Sequence, residues 1–171
     1  ACPLCQHPKE IVMAWNLPPG DLRLVAITAD AHVYENPRAL PRVMVVGDAR
    51  RVDLDDIIAT GQWPGFDPLR TILVSRDAPL PPTPGERRPG TARILDYGNA
   101  VVTIEADSPD GGFLVLNDVW QRWWQAEING TYAEVLRANA IFRAVAIPPG
   151  RSTVVFRFRP FSGLMAELER R

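Results

Sequence analysis

Lysine is almost missing from this chain: Lys9 is the only one, and every other basic side chain besides two histidines is arginine. With 19 Lys+Arg against 20 Asp+Glu, the net charge is −1. That balance, with no Lys/Arg cluster, argues against a nucleic-acid partner recruited by bulk electrostatics. Cysteine is also scarce, at two residues. A structural zinc site takes four ligands, so Cys2, Cys5 and His7 with no second Cys or His pair do not complete one. No metal and no cofactor are expected. The apolar runs extend only a few residues, far short of the roughly 20 that span a bilayer as a helix. No segment has the basic, apolar, small-residue order of a signal peptide. Nucleophile elbow, phosphate loop, dinucleotide fingerprint and HExxH are all missing, which weighs against an enzyme. The chain starts at Ala1 without an initiator Met, and we expect a processed product or a piece of a longer protein.

Proline, in contrast, is abundant: 17 residues in a chain of 171, roughly double the ordinary share of about 5%. Proline is tolerated at strand starts, edges and turns but removes a donor from helix interiors. The expectation is therefore many short strands and structured loops. Strands are predicted over 10–16, 22–28, 32–35, 42–46 and 71–74, the first two as a hairpin across Leu17-Pro18-Pro19-Gly20-Asp21. One short helix is predicted near 53–60, because Asp53 can cap it and Asp55 and Asp56 suit the positive end of its dipole. Leu54, Ile57 and Ile58 recur there at helical spacing, and Gly61 stops it.

Residues 77–90 hold the densest prolines and are predicted to connect two lobes. After them, strands are predicted over 92–96, 100–106, 113–119, 124–128, 132–137, 141–147 and 153–159. Asn129-Gly130 is the strongest hairpin signal, since a type I′ turn needs positive φ at both central residues. The fold class expected is mainly β: a C-terminal β-sandwich or jelly-roll-like unit over 91–161, preceded by a smaller strand-rich lobe over 1–76 with one short helix. A helix or tail follows over 162–171.

Several ordered pieces of the chain resemble the C-terminal region of the YfhO family, bacterial polytopic membrane proteins related to GT-C glycosyltransferases that use lipid-linked sugars. Gly112-Phe113-Leu114-Val115-Leu116-Asn117-Asp118 is similar to the family's Gly-Phe-Leu-Val-Leu-Ser-Asp strand. Trp124-Gln125-Ala126-Glu127-Ile128-Asn129-Gly130 is similar to its Trp-Lys-Ala-x-Val-Asp-Gly hairpin. Tyr34-Glu35-Asn36 through Ala39-Leu40-Pro41-Arg42 resembles a Tyr-Glu-Asn-x-x-Ala-Leu-Pro-Arg segment, and Ile147-Pro148-Pro149-Gly150 follows in order. Where the family has Tyr-Tyr-Pro-Gly, this chain has Trp120-Gln121-Arg122-Trp123. The resemblance implies a non-catalytic extracytoplasmic accessory domain, tethered to a membrane-embedded portion of the same polypeptide and able to help hold a glycan or lipid-linked sugar.

The candidate ligand-binding residues are Trp120, Trp123, Trp124, Asp118 and Arg122. Flat indole faces stack on sugar rings, and they also anchor at membrane interfaces or fill cores. Trp124 is expected to pack in the sandwich. Asp96, Glu105, Asp107, Asp110 and Asp118 could supply a carboxylate pair for glycoside chemistry, but no spacing defines one, and 107–111 has turn composition. Arg143, Arg157 and Arg159 could bind a phosphate or lipid headgroup, but are expected on a solvated strand face. Asn129-Gly130-Thr131 is formally a glycosylation sequon but is expected to be a hairpin turn. Cys2 and Cys5 are expected as a local disulfide or inert thiols. The alternatives to a tethered domain are a free-standing carbohydrate-binding β-sandwich and a small hydrolase.

Overall fold

The computed structural model describes residues 22–75, 87–88 and 90–160. The cysteine head, the strand expected over 10–16 with its turn, most of the proline-rich stretch and the helix expected over 162–171 lie outside the described residues. The chain divides into two units, Ala1–Leu40 and Pro41–Arg171.

In the first unit, strands β1 (Arg23–Ile27) and β2 (His32–Glu35) pair antiparallel. Thr28 closes the turn: its backbone N–H donates to the Ala31 carbonyl and its Oγ1 accepts from the Ala31 N–H. Arg23 and Glu35 face each other across the pair as an exposed ion pair, an interaction of little net weight in water.

The second unit is a β-sandwich. Its strands are β3 (Val43–Val46), β4 (Asp48–Val52), β5 (Thr71–Ser75), β6 (Thr91–Tyr97), β7 (Val101–Ser108), β8 (Gly112–Val119), β9 (Trp124–Ile128), β10 (Thr131–Ala133), β11 (Leu136–Ala138), β12 (Phe142–Ile147) and β13 (Gly150–Phe158). One sheet has the order β10-β9-β13-β7-β6 and the other β3-β8-β12-β11-β5-β4. Their inner faces share one core. Val45, Leu114, Leu116, Val145 and Ile147 come from the six-stranded sheet, and Val102, Ile104, Ala126, Val154 and Phe156 from the other. Alternation places these residues: on β13, Val154 and Phe156 are buried while Thr153 points out. On β8 the first five residues, Gly112 to Leu116, are all buried, as in a strand covered on both faces.

Helix α1 (Leu54–Thr60) forms where expected. Asp53 Oδ1 accepts from the N–H groups of Asp55 and Asp56, and Gly61, at φ 69°, donates to the Ile57 carbonyl. Leu54 and Ile57 pack on Leu73, whereas Ile58, expected on the same stripe, is exposed. Asn129 and Gly130 both take positive φ, 51° and 81°, and join Ile128 to Thr131 as the type I′ turn requires.

Three expectations need correction. Residues 41–75 do not form a lobe apart from 91–161: β3 pairs with β8, and β5 with β11, inside one sheet. Proline density reports a loop, but backbone hydrogen bonding decides what belongs to a sheet. Secondly, the strand expected over 132–137 is two strands in different sheets, with Glu134-Val135 carrying the chain across. Thirdly, β4 was unexpected; it runs parallel to β5, and α1 lies within the β4-to-β5 connection. No helix among the described residues is long and apolar enough to cross a membrane.

Candidate functional site

The inward row of β12 reads Ile147, Val145, Arg143, and that of β8 reads Leu114, Leu116, Asp118. Both rows begin apolar and finish in a charge at the same end of the sandwich. Arg143 follows the strict period of its strand and is only 2% exposed. It therefore does not lie on a solvated face. The residue type suggested solvent, but the side chain's parity with Val145 and Ile147 turns it inward.

Asp118 is presented by an irregularity. Arg143 opposes Leu116 while Phe142 opposes Val119, so Asn117 and Asp118 face no partner on β12. Such bulges bend a strand and re-aim its side chains. Asn117 is fixed there by its N–H to the Arg42 carbonyl and its Nδ2 to the Pro41 carbonyl, at 2.9 and 2.6 Å. That contact sets Arg42 beside Asp118.

The Asp118 carboxylate accepts from three donors. Arg42 Nη2 lies 2.8 Å from Oδ1, and Oδ2 accepts from Arg143 Nη2 and from the Tyr97 hydroxyl, each at 2.8 Å. Tyr97 in turn accepts from Arg42. Hydrogen bonding to Tyr97, and then the charge of Asp118, push the Arg42 guanidinium above its ordinary range. Burial acts oppositely on Arg143 and lowers it, with Asp118 only partly offsetting the effect. The Arg143 guanidinium lies 3.7 Å from the Trp124 ring centroid and 5.5 Å from that of Phe156. Its Nε and Nη1 are buried and make no hydrogen bond among the described residues.

Next to this network is a concavity of about 390 Å³, lined by Asn99, Asp118, Val119, Gln121, Trp124, Arg143 and Phe158. Two of the five residues singled out from the sequence, Asp118 and Trp124, therefore meet in one place. Trp124 is half-buried, packs against the core and tilts against Phe158 at 5.2 Å. Trp120, Trp123 and Arg122 do not line the concavity. Trp120 sits 6.0 Å from the Arg137 guanidinium, and Trp123 lies under Arg122 at 4.4 Å. Sequence reading passed over Arg42, Tyr97, Asn99 and Gln121. Tyr97 and Asn99 flank a glycine and read as turn residues, and Arg143, considered for an anionic headgroup or a solvated face, is brought here by the period of β12.

The other carboxylates do not join Asp118. Glu105 pairs with Arg93 at 2.9 Å, and that hydrogen bond lowers its pKa. Asp110 is clasped by the Arg88 side chain at 2.8 and 3.0 Å and by its backbone N–H at 2.9 Å, which hold its pKa at about 2. A general acid needs a pKa shifted upward toward working pH, the opposite direction. The sequon asparagine serves the hairpin: Asn129 Oδ1 accepts from the Thr153 N–H at 2.9 Å. No group of three or more metal-ligating side chains occurs among the described residues. No family model, curated protein or solved structure matches this chain.

Proposed function

We propose that this chain is a non-catalytic, extracytoplasmic accessory domain of a membrane protein resembling the YfhO family, and that the concavity beside Trp124 holds part of a glycan. One observation carries the reading: the Arg42–Asp118–Tyr97–Arg143 network fixes polar groups at the wall of a concavity that also offers an indole and two exposed amides, Asn99 and Gln121. Groups locked before a ligand arrives lose little freedom on binding, which suits recognition of sugar hydroxyls. Hydrolysis of a glycoside takes two carboxyl groups at a set separation. Asp118 is the one carboxylate among the described residues lining this concavity and is already engaged by three donors, so binding without turnover is the favoured reading. The tether to a membrane-embedded portion, and the lipid-linked sugar as a ligand, rest on the resemblance.

The test is titration of the 171-residue chain with oligosaccharides, following the Trp124 indole N–H by NMR. Binding is expected to shift that signal, and Asn99→Ala with Gln121→Ala is expected to abolish the shift while leaving the fold intact. A Trp124 signal unmoved by neutral, anionic and lipid-linked oligosaccharides would falsify glycan binding here. Expressed from its full reading frame, the protein is expected in the membrane fraction. Recovery as a soluble protein that still binds sugar would instead make it a free-standing carbohydrate-binding module.

A further inference from the structure

A second concavity, of about 450 Å³, opens on another part of the same unit, where β4 leads into α1 and the chain turns after Gly61. It is lined by Arg51, Asp53, Asp56, Gln62, Trp63 and Pro64, together with apolar Val52 and Ile57. Trp63 is 53% exposed and offers an indole face to solvent. The ring is nevertheless held in place. It stacks on Phe66, with centroids 6.4 Å apart and planes 16° from parallel, and Phe66 packs on the Leu54, Ile57 and Leu73 cluster. The intervening turn is tied down as well. Gly61 N–H donates to Ile57, Gln62 N–H to Thr60 Oγ1 at 3.2 Å, and the Gly65 carbonyl accepts from Arg50 Nη1 at 3.3 Å. Trp63 is thus a rigid, wet aromatic platform.

Of the polar groups beside it, Asp53 Oδ1 caps α1, whereas the Asp56 carboxylate and the Gln62 amide make no hydrogen bond or ion pair among the described residues. A carboxylate can accept from two neighbouring hydroxyls, and an amide supplies both a donor and an acceptor. Set against the apolar face of an indole, that combination fits a pyranose ring, which has C–H groups on its face and hydroxyls around its edge. The charge selects further: among the described lining residues one guanidinium stands against two carboxylates, a negative balance that disfavours uronic acids, sulfated sugars and nucleotides.

From these observations we infer that Trp63, Asp56 and Gln62 form a second saccharide site, specific for an uncharged sugar ring. The site stands on its own geometry and does not depend on the concavity at Trp124, because each site has its own reporter indole.

Indole N–H NMR of the full chain tests the inference, with maltotriose, cellotriose and chitotriose as neutral probes and a trigalacturonate as the anionic one. The Trp63 signal is assigned by its disappearance in Trp63→Phe. At millimolar concentration, at least one neutral probe is expected to shift the Trp63 signal, and the anionic probe is expected to leave it unmoved. Trp63→Ala removes the reporter, so its effect is read from the probe's own resonances in an Asn99→Ala, Gln121→Ala background, where binding is expected to weaken by about tenfold or more, in keeping with the energy of an aromatic contact. Gln62→Ala, an exposed change that leaves the platform intact, is expected to weaken it severalfold. A Trp63 signal that none of the three neutral probes moves overturns the site, as does equal or tighter binding of the anionic probe. Either result leaves the Trp124 reading standing, since that rests on a different signal.

Discussion

Arg143 and Asp118 form an ion pair in which the two partners are not equally dependent on each other, and mutation should expose the difference. Arg143 is 2% exposed, and among the described residues its one hydrogen-bonding partner is Asp118. Its Nε and Nη1 find no partner among the described residues, and a guanidinium cannot shed its proton to escape. Asp118→Ala therefore strands a buried charge, which costs about 3–5 kcal/mol. Arg42, released by the same change, has a side chain 56% exposed and simply returns to water. Removing Arg143 strands nothing, because Asp118 keeps Arg42 and Tyr97 and retains access to solvent. In Arg143→Met the thioether stays against Trp124 and replaces a cation–π contact worth about 0.5–2 kcal/mol with a sulfur–aromatic one of about 0.3–1.5 kcal/mol. The expected result is stability within about 1 kcal/mol of the parent, or slightly higher. Urea unfolding followed by far-UV circular dichroism measures both variants, since tryptophan fluorescence responds directly to the loss of Arg143. With a slope of about 1–3 kcal/mol per molar, Asp118→Ala should bring the midpoint down by about 1 M or more, and Arg143→Met should barely move it. The double variant should be more stable than Asp118→Ala alone. The reasoning fails if Arg143→Met is as damaging as Asp118→Ala, or if the double variant recovers nothing.

Two further outcomes follow from other contacts. Asn139, 5% exposed, uses Oδ1 to accept from the Leu73 N–H at 2.9 Å and so joins the β11–β12 turn to β5. Asn139→Ala leaves that buried N–H unpaired and should lower stability by about 1–3 kcal/mol in a denaturant titration; Asn139→Asp, which keeps the acceptor, should recover part of the loss. Asp110, held at about 2 by Arg88 against roughly 3.9 in an unfolded chain, supplies stability that is fully present above about pH 4. That contribution fades as pH falls toward 2. Melting temperatures across this range should converge for the parent and Asp110→Asn, and a constant gap would contradict the assignment.

Much of the sandwich was legible because its signals are local. The alternation of β13, the Asn129-Gly130 turn and the Asp53 cap each depend on a few neighbouring residues, and each forms as the chain predicts. What escaped depends on partners far away in sequence. The charged stretch Asp48–Val52 lacks the composition of a strand and becomes one as the parallel neighbour of β5 at the sheet edge. The break between β10 and β11 is set by which sheet receives each half. At the site, Asp118 and Trp124 were singled out by residue type, whereas Tyr97 and Arg42 reach Asp118 from β6 and from just before β3. Trp63 drew no notice because the turn-forming residues on either side of it suggest a loop and nothing more.

The interleaving of the six-stranded sheet bears on the order in which the protein can be made. Val46 pairs with Phe113 and Val74 with Ala138, so β3, β4 and β5 leave the ribosome well before the strands that complete their sheet. Until β8, β11 and β12 are synthesised, apolar segments such as Val43–Val46 and Thr71–Ser75 wait with open edges. Long-range pairing of this kind is slow, and exposed edges invite pairing with other chains. The sheet order therefore predicts late, all-at-once acquisition of structure during translation, and makes the unfinished chain the form most in need of a chaperone.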